Sequence, residues 1–413
     1  MNVAEIGLNL TNRSSCADPL GAPAWAGQGP APGACWLPRR VPKAVLLIID
    51  ALTFDFARFD PAKDRPRPYE NKLGFLHQLS SSQPRHARLY RFRADPPTTT
   101  MQRIKGITTG SLPTFIDVGS NFASYAIQED NLLSQLVQNG RRVVFMGDDT
   151  WDGLFPQKFF RSYFFPSFNV KDLHTVDDGI LQHLYPTVDG GEWDLLIAHF
   201  LGVDHCGHKH GPDHPEMAKK LTQMNEMLRC TLVPSGLRVL LPTDPSLVLP
   251  QEPETVPQVN LVPTLALLLG VPIPYSSIGE GMAELFSGDG DAASAALRQL
   301  SAYHVNARQV GAAGAERGAA WAGGLWRPRP VFVCEAPSSP RRRLKEELCE
   351  EEPMMEMRLR ESPERSPGLR RGGHGPQEAS HGLEGVCPKL LACVGAAMVL
   401  RRHLMVWKVF APK

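Results

Sequence analysis

Residues 44–49 read AVLLII and run directly into Asp50. An unbroken apolar run of this length has the pattern of a strand buried on both faces of a parallel sheet, with the carboxylate placed at its C-terminal edge. Two further runs repeat the theme. Residues 142–146 (RVVFM) are followed by Gly147, Asp148 and Asp149, and residues 194–199 (DLLIAH) are followed by Phe-Leu-Gly-Val-Asp204. Each ends in polar residues capable of chemistry. Helix-compatible stretches lie between them at 69–79, 123–139 and 177–184, and 215–229 follows the third run with Pro215 at a helix-start position. Strand and helix alternating in this way predict an α/β fold with a mainly parallel sheet flanked by helices. Ligands of such sheets bind outside the carboxyl ends of the strands, where these acidic residues fall.

Outward from this centre the text changes twice. Residues 1–40 form a Gly/Pro-rich lead-in, and 41–310 carry the α/β pattern, with a Pro-punctuated stretch over 232–254. Within the domain, 262–269 (VPTLALLL) predicts a buried helix closed by Gly270, and 292–309 predicts another. Residues 311–413 pass from Ala/Gly to Pro/Arg-rich text and then to mixed charge over 341–371. Lacking a periodic apolar face, this region is expected to be a disordered, low-order tail. The chain has no internal repeat.

The 413 residues carry 44 Lys+Arg against 43 Asp+Glu, a formal charge of +1, which removes the electrostatic footprint of a nucleic-acid binder. No two of the eight cysteines have the CxxC spacing of a zinc ribbon, so disulfides are allowed but not required. Sequons at Asn9 and Asn12 stand just before Cys16, as suits a glycoprotein with a luminal face. The first residues show no basic region followed by an apolar core, and no apolar run reaches roughly 18 residues. The best stretch, 390–400, is stopped by Arg401, Arg402 and His403. On this reading the chain itself neither carries a signal segment nor spans a membrane.

The sharpest chemical signal is Asp204-His-Cys-Gly-His208-Lys-His210-Gly, directly after the third apolar run. A carboxylate and imidazoles gathered into a few residues, made compact by Gly207 and Gly211, supply the oxygen and nitrogen donors that zinc takes. A ligand-free polar surface loop would read the same way in isolation. Asp50 alters the balance, because catalytic metal sites collect ligands from several strand ends. The third element is residues 95–110, DPPTTTMQRIKGITTG. A hydroxyl attacks at neutral pH only when a base or metal lowers its pKa, so a Thr opening a helix beside Asp50 would suit covalent phosphoryl transfer. The helix N-terminus would help to hold phosphoryl oxygens. Thr98, Thr99 and Thr100 all fit, and a run of capping and turn threonines is the plainer alternative.

Taken in order, a strand ending in Asp50, a Pro-Thr turn opening a helix and the later Asp-x-x-Gly-His pattern of Asp204 and His208 resemble the alkaline phosphatase superfamily. The strings DPPTTTMQRIKGITTGSLPTFIDVGSNFAS, RRVVFMGDDTW and IAHFLGVDHCGHKHGPDHPEMAKKL are similar to the GPI ethanolamine phosphate transferase family, and the similarity runs from about residue 9 to 310. The resemblance implies an alkaline-phosphatase-like domain over 41–310. It also implies transfer of phosphoethanolamine from phosphatidylethanolamine to the third mannose of the GPI-anchor precursor lipid. The implied setting is the endoplasmic reticulum membrane, with the catalytic domain in the lumen and the class F protein of GPI biosynthesis as partner. Two zinc ions are implied. Asp50 and Thr100 would share one, with Thr100 as the nucleophile, and Asp204 with His208 would ligate the other.

The chain also departs from the family pattern. The family places an Asp-His-Gly strand end, and then a further His, after the Asp204–His208 motif. Here the text passes through TLVPSGLRVLLPTDPSLVLP with no Asp-His pair, an internal gap near 230–250 that should contain a sheet strand and the remaining ligands. His205, His210 or His214 would have to stand in. The tail strings EEEPMMEMRLR and LRRHLMVWKVFAPK resemble pieces from near the far end of the family, as though a membrane-spanning middle were removed. Beside the transferase, the residues leave two other readings open. One is a catalytically inert luminal binding protein of the GPI pathway, and the other is an enzyme of the nucleotide pyrophosphatase/phosphodiesterase kind.

Overall fold

The computed structural model describes residues 12–18, 35–83, 87–96, 98–112, 126–232, 253–287, 292–321, 396–400 and 404–409. In chain order the elements are β1 (Lys43–Ile49), α1 (Phe54–Ala57), α2 (Gly74–Ser82), β2 (Ala87–Arg88), β3 (Arg91–Arg93) and α3 (Thr100–Thr109). Next come α4 (Leu132–Gln138), β4 (Val143–Asp148), α5 (Thr150–Leu154), β5 (Arg161–Phe165), α6 (Thr175–Gly190), β6 (Leu195–Phe200), α7 (Gly202–His210) and α8 (Pro215–Leu232). The series closes with β7 (Thr255–Pro257), α9 (Leu261–Leu269), α10 (Ala292–Trp321), β8 (Ala396–Leu400) and β9 (Leu404–Val409). The fold is α/β, as the three apolar runs imply.

The main sheet has the order β2-β8-β9-β1-β6-β4-β5. The pairs β1–β6, β4–β6, β4–β5 and β1–β9 are parallel, whereas β8 pairs antiparallel with β2 and β9. Side chains of the central strands alternate between two cores, which is why their sequences show no polar face. Ala44, Leu46 and Ile48 of β1 join one core with α3, α4 and α9, and Val45, Leu47 and Ile49 join the other with α2, α6 and α8. The expected buried helix at 262–269 is α9, ended by Gly270 at φ +69°. Two helices start later than their patterns suggest. Residues 69–73 precede α2 without joining it, and α4 begins at Leu132 because the Asn131 side chain accepts a hydrogen bond from Ser134 N at 2.9 Å.

The most consequential difference concerns the tail. Residues 1–314 and 390–413 form one compact unit, and residues 315–389 form a second, of which only the end of α10 is described. Strands β8 and β9 lie within the segment assigned by its composition to a low-order tail, yet β9 pairs with β1 along Lys43–Leu47. The resemblance places a sheet strand in the gap near 230–250; residues 233–252 lie outside the described residues. β1 is buried on both faces, and its N–H and C=O groups need partners on both edges. β9 meets that need on one side and β6 on the other.

The lead-in is also tied to the domain where it is described. Cys16 and Cys35 form a disulfide, and the buried Asp130 carboxylate accepts from Ser14 N at 3.0 Å and Tyr275 N at 2.8 Å. Because Ile48 is central and buried against α3 and α9, Ile48→Ala is expected to cost about 2–5 kcal/mol, through lost contact and a residual cavity. A urea titration of the purified chain measures this as a lowered midpoint at unchanged slope.

Candidate active site

Three neighbouring strands, β1, β6 and β4, end together and deliver Asp50, His199 and Asp148 to one edge. The register sets His199 opposite Ile48 on one side and Gly147 on the other. Gly147 has φ +143°, and a Cβ there would lie 2.5 Å from the His199 carbonyl oxygen, so only glycine permits this approach.

Asp50 is fully buried. Its Oδ1 accepts from Ala51 N at 2.8 Å and its Oδ2 accepts from Thr100 Oγ1 at 2.9 Å, while His199 Nε2 lies 3.6 Å from Oδ2. Burial pushes the Asp50 carboxyl up, but His199, Thr100 and the Ala51 N–H together outweigh it and hold the group below the usual carboxylate range. Asp50 is therefore ionised at neutral pH. Ala51 adopts φ +54°, a left-handed conformation that an alanine occupies only at a cost, in the turn that directs its N–H onto the carboxylate.

Thr100 is the first residue of α3, and Arg103, Lys105 and Gln102 further along are buried. Of the three candidate threonines, Thr100 faces Asp50, whereas the Thr99 hydroxyl donates to Gln102 Oε1 at 2.9 Å, and Thr98 is buried. The helix ends at Gly110 with φ +71°, where a Cβ would meet Ser277 Oγ at 2.3 Å.

Asp204 and His208 lie on α7, a helix rather than the polar surface loop that the motif would equally suit in isolation. Gly207 continues the helix and Gly211, at φ +81°, follows it. The four-residue spacing puts the two side chains on one face, His208 Nε2 lying 3.5 Å from Asp204 Oδ1. The turn before α7 is clamped from below. Asp177 Oδ1 accepts from Leu201 N and Gly202 N, both at 3.0 Å, and Lys220 Nζ pairs with Asp177 Oδ2 at 3.2 Å in a buried setting. The substitute histidines are engaged elsewhere: His205 Nδ1 contacts Asp172 O at 2.6 Å and His210 stacks on His214 at 4.2 Å.

Burial pushes the Asp204 carboxyl well above its ordinary range, and the negative charges of Asp50 and Asp148 push it further. Three carboxylates thus share one electrostatic neighbourhood, which a divalent cation would relieve. The donors are of the type zinc takes, but each expected ion receives only two of the predicted side chains, Asp50 with Thr100 and Asp204 with His208. Among the described residues, no group of three or more His, Cys, Asp or Glu converges as a metal cage. Asp148, His199 and Trp151 were not singled out from the sequence as site residues. The signal for the first two was their position at the ends of apolar runs.

Two measurements follow from these environments. A carboxyl whose folded value is raised costs stability as pH rises from the unfolded value, near 4, through the folded one. Asp204→Asn is therefore expected to raise the melting temperature of the zinc-free chain at pH 7, with the gain vanishing near pH 4. Ala51→Gly should relieve the left-handed strain and stabilise the chain by about 1 kcal/mol, read from denaturant midpoints.

The family model that matches the chain, over residues 92–232, is that of type I phosphodiesterase / nucleotide pyrophosphatase. The chain is 56% identical over 345 residues to human GPI ethanolamine phosphate transferase 3, catalytic subunit, a match covering 73% of this chain and 31% of that protein. The mouse protein of the same description matches at 56% over 346 residues with the same shares. GPI ethanolamine phosphate transferase 3 of Schizosaccharomyces pombe matches at 40% over 316 residues, covering 68% of this chain and 34% of that one. The chain spans about a third of the length of these curated relatives. With the Asp50–Thr100 contact lying at the strand ends of an α/β sheet, the chain is a homologue of GPI ethanolamine phosphate transferase 3 over the residues they share.

Proposed function

We propose that the chain carries a phosphoethanolamine-transfer site that moves the group from phosphatidylethanolamine to the third mannose of the GPI precursor, in the endoplasmic reticulum lumen. The observation that carries this reading is the 2.9 Å contact of Thr100 Oγ1 with the ionised, buried Asp50. A hydroxyl at a helix N-terminus and against a carboxylate is placed to become a nucleophile toward phosphorus, with the helix end favouring the phosphoryl oxygens. The transferase names of the relatives supply the substrate class. The Cys16–Cys35 disulfide supports an oxidising compartment. Among the described residues, no helix is long and apolar enough to cross a membrane. The relatives' designation as catalytic subunits supports a partner, for which the class F protein is the candidate.

In the first displacement the Thr100 proton moves to Asp50 Oδ2. Thr100 Oγ bonds to phosphorus as the bond to the diacylglycerol oxygen breaks, and that oxygen takes the proton from Asp50 Oδ2, so diacylglycerol leaves and Asp50 is ionised again. In the second, the mannose oxygen bonds to phosphorus as the Thr100 O–P bond breaks; the mannose proton passes to Asp50 Oδ2 and from there to the Thr100 oxygen, which restores the hydroxyl. Asp50 with Thr100 would hold one zinc ion and Asp204 with His208 the other. When bound, the ions would lower the pKa of the attacking oxygens and offset charge on the leaving one.

Two ligands per ion also favour a second reading, a luminal binding protein of the GPI pathway without activity. Zinc analysis of the full purified chain, beside the Asp204→Ala/His208→Ala double variant, separates them. Transfer predicts close to two ions per chain, reduced in the double variant. It also predicts that Thr100→Ala lowers transfer of labelled phosphoethanolamine by ~10³-fold or more, while Thr99→Ala retains it. A chain that melts cooperatively yet binds no zinc would leave only the inert reading.

A further inference from the structure

His199 stands at the centre of the candidate site, yet neither the implied zinc ligands nor the implied nucleophile includes it. Its side chain is 1% exposed, and among the described residues its Nε2 has no hydrogen-bond partner. The other ring nitrogen is occupied: Trp151 Nε1 donates to Nδ1 at 3.0 Å. An indole nitrogen can only donate, so Nδ1 must accept and the ring proton must sit on Nε2. Trp151 cannot readily yield this arrangement. It is fully buried, stacked on Phe145 at 4.9 Å and tilted against Phe155 at 5.3 Å. The His199 backbone is fixed equally firmly by the close approach of Gly147.

With its proton on Nε2, His199 has no lone pair there for a metal, although it is the histidine nearest Asp50. It has instead an N–H whose nitrogen lies 3.6 Å from Asp50 Oδ2. A closing movement of about 0.7 Å would bring the pair to ordinary N–H···O length. Oδ2 is also the oxygen that Thr100 contacts. Once Thr100 Oγ is bonded to phosphorus and its proton has passed through Asp50 to the leaving diacylglycerol, Oδ2 has lost that donor. We propose that His199 is a positioning residue for Asp50, locked by Trp151 with its proton on Nε2 and ready to hold Oδ2 when Thr100 is engaged elsewhere. This inference rests on the transfer reading above, since it assigns Asp50 a role at the reacting threonine.

The test uses the full chain labelled with 15N-histidine, the His199 signals being identified by their loss in His199→Gln. The expected spectrum of the zinc-free chain shows Nε2 protonated and Nδ1 bare, with that preference weakened in Trp151→Phe. Protonation at Nδ1 in the native chain would overturn the proposal. Zinc dissociation constants, by chelator competition, supply the second readout. His199→Leu should weaken binding about 10–100-fold, as loss of a group orienting a metal ligand does. His199→Gln, whose amide nitrogen can occupy the Nε2 position, should recover most of it. Equal loss in both variants, or none in either, would overturn the proposal while leaving the transfer reading intact. A native chain that binds no zinc would remove that reading and the positioning role with it.

Discussion

Burying an ionised carboxylate is the constraint on which the candidate site depends. Asp50 has no access to water, and a charge in that position persists only when fixed dipoles replace its hydration. Those dipoles come from three separate elements: the strained Ala51 turn, the first residue of α3 and the β6 strand end. The consequence reaches beyond electrostatics. α3 is tied to β1 through Thr100, and the β1–β6–β4 register is tied to the site through His199, so site geometry and sheet alignment support each other.

The two halves of the site are built differently. Around Asp50 the groups are braced, with Trp151 packed among aromatic rings and Gly147 flush against His199. Around Asp204 the neighbours are like charges, and His208 is exposed. The first half is favourable to the folded chain as it stands, whereas the second carries a penalty that a bound cation would relieve. Such opposition between stability and placement is characteristic of groups held for chemistry rather than for packing.

Much of this was legible in the sequence because the signals are local. An apolar run ending in a carboxylate identifies both a buried strand and the edge where its last residue lies, which gave Asp50, and the four-residue spacing of Asp204 and His208 is read directly. The helical state of that second motif was obscured by Gly207, which helices tolerate at modest cost. Asp148 and His199 were visible as strand-end residues, but their meeting depends on β4 and β6 being neighbours, which no single segment records. The Trp151–His199 bond is less legible still. It joins residues 48 positions apart, and its meaning lies in which ring nitrogen it occupies.

The C-terminal strands show why a fold and its chemistry can separate. A parallel strand is held mainly by backbone groups that every residue except proline carries, so β1 can be completed by β9 from the far end of the chain. Side-chain ligands have no such substitute. A strand that restores the hydrogen bonds of β1 does not thereby restore an Asp-His pair, and β9 itself reads LMVWKV, without a carboxylate or an imidazole. Completing the sheet therefore secures Asp50 and Thr100 while adding nothing to the ligands around Asp204. Asp50, Thr100, Asp204 and His208, the donors expected to hold zinc, all lie within the first 210 residues.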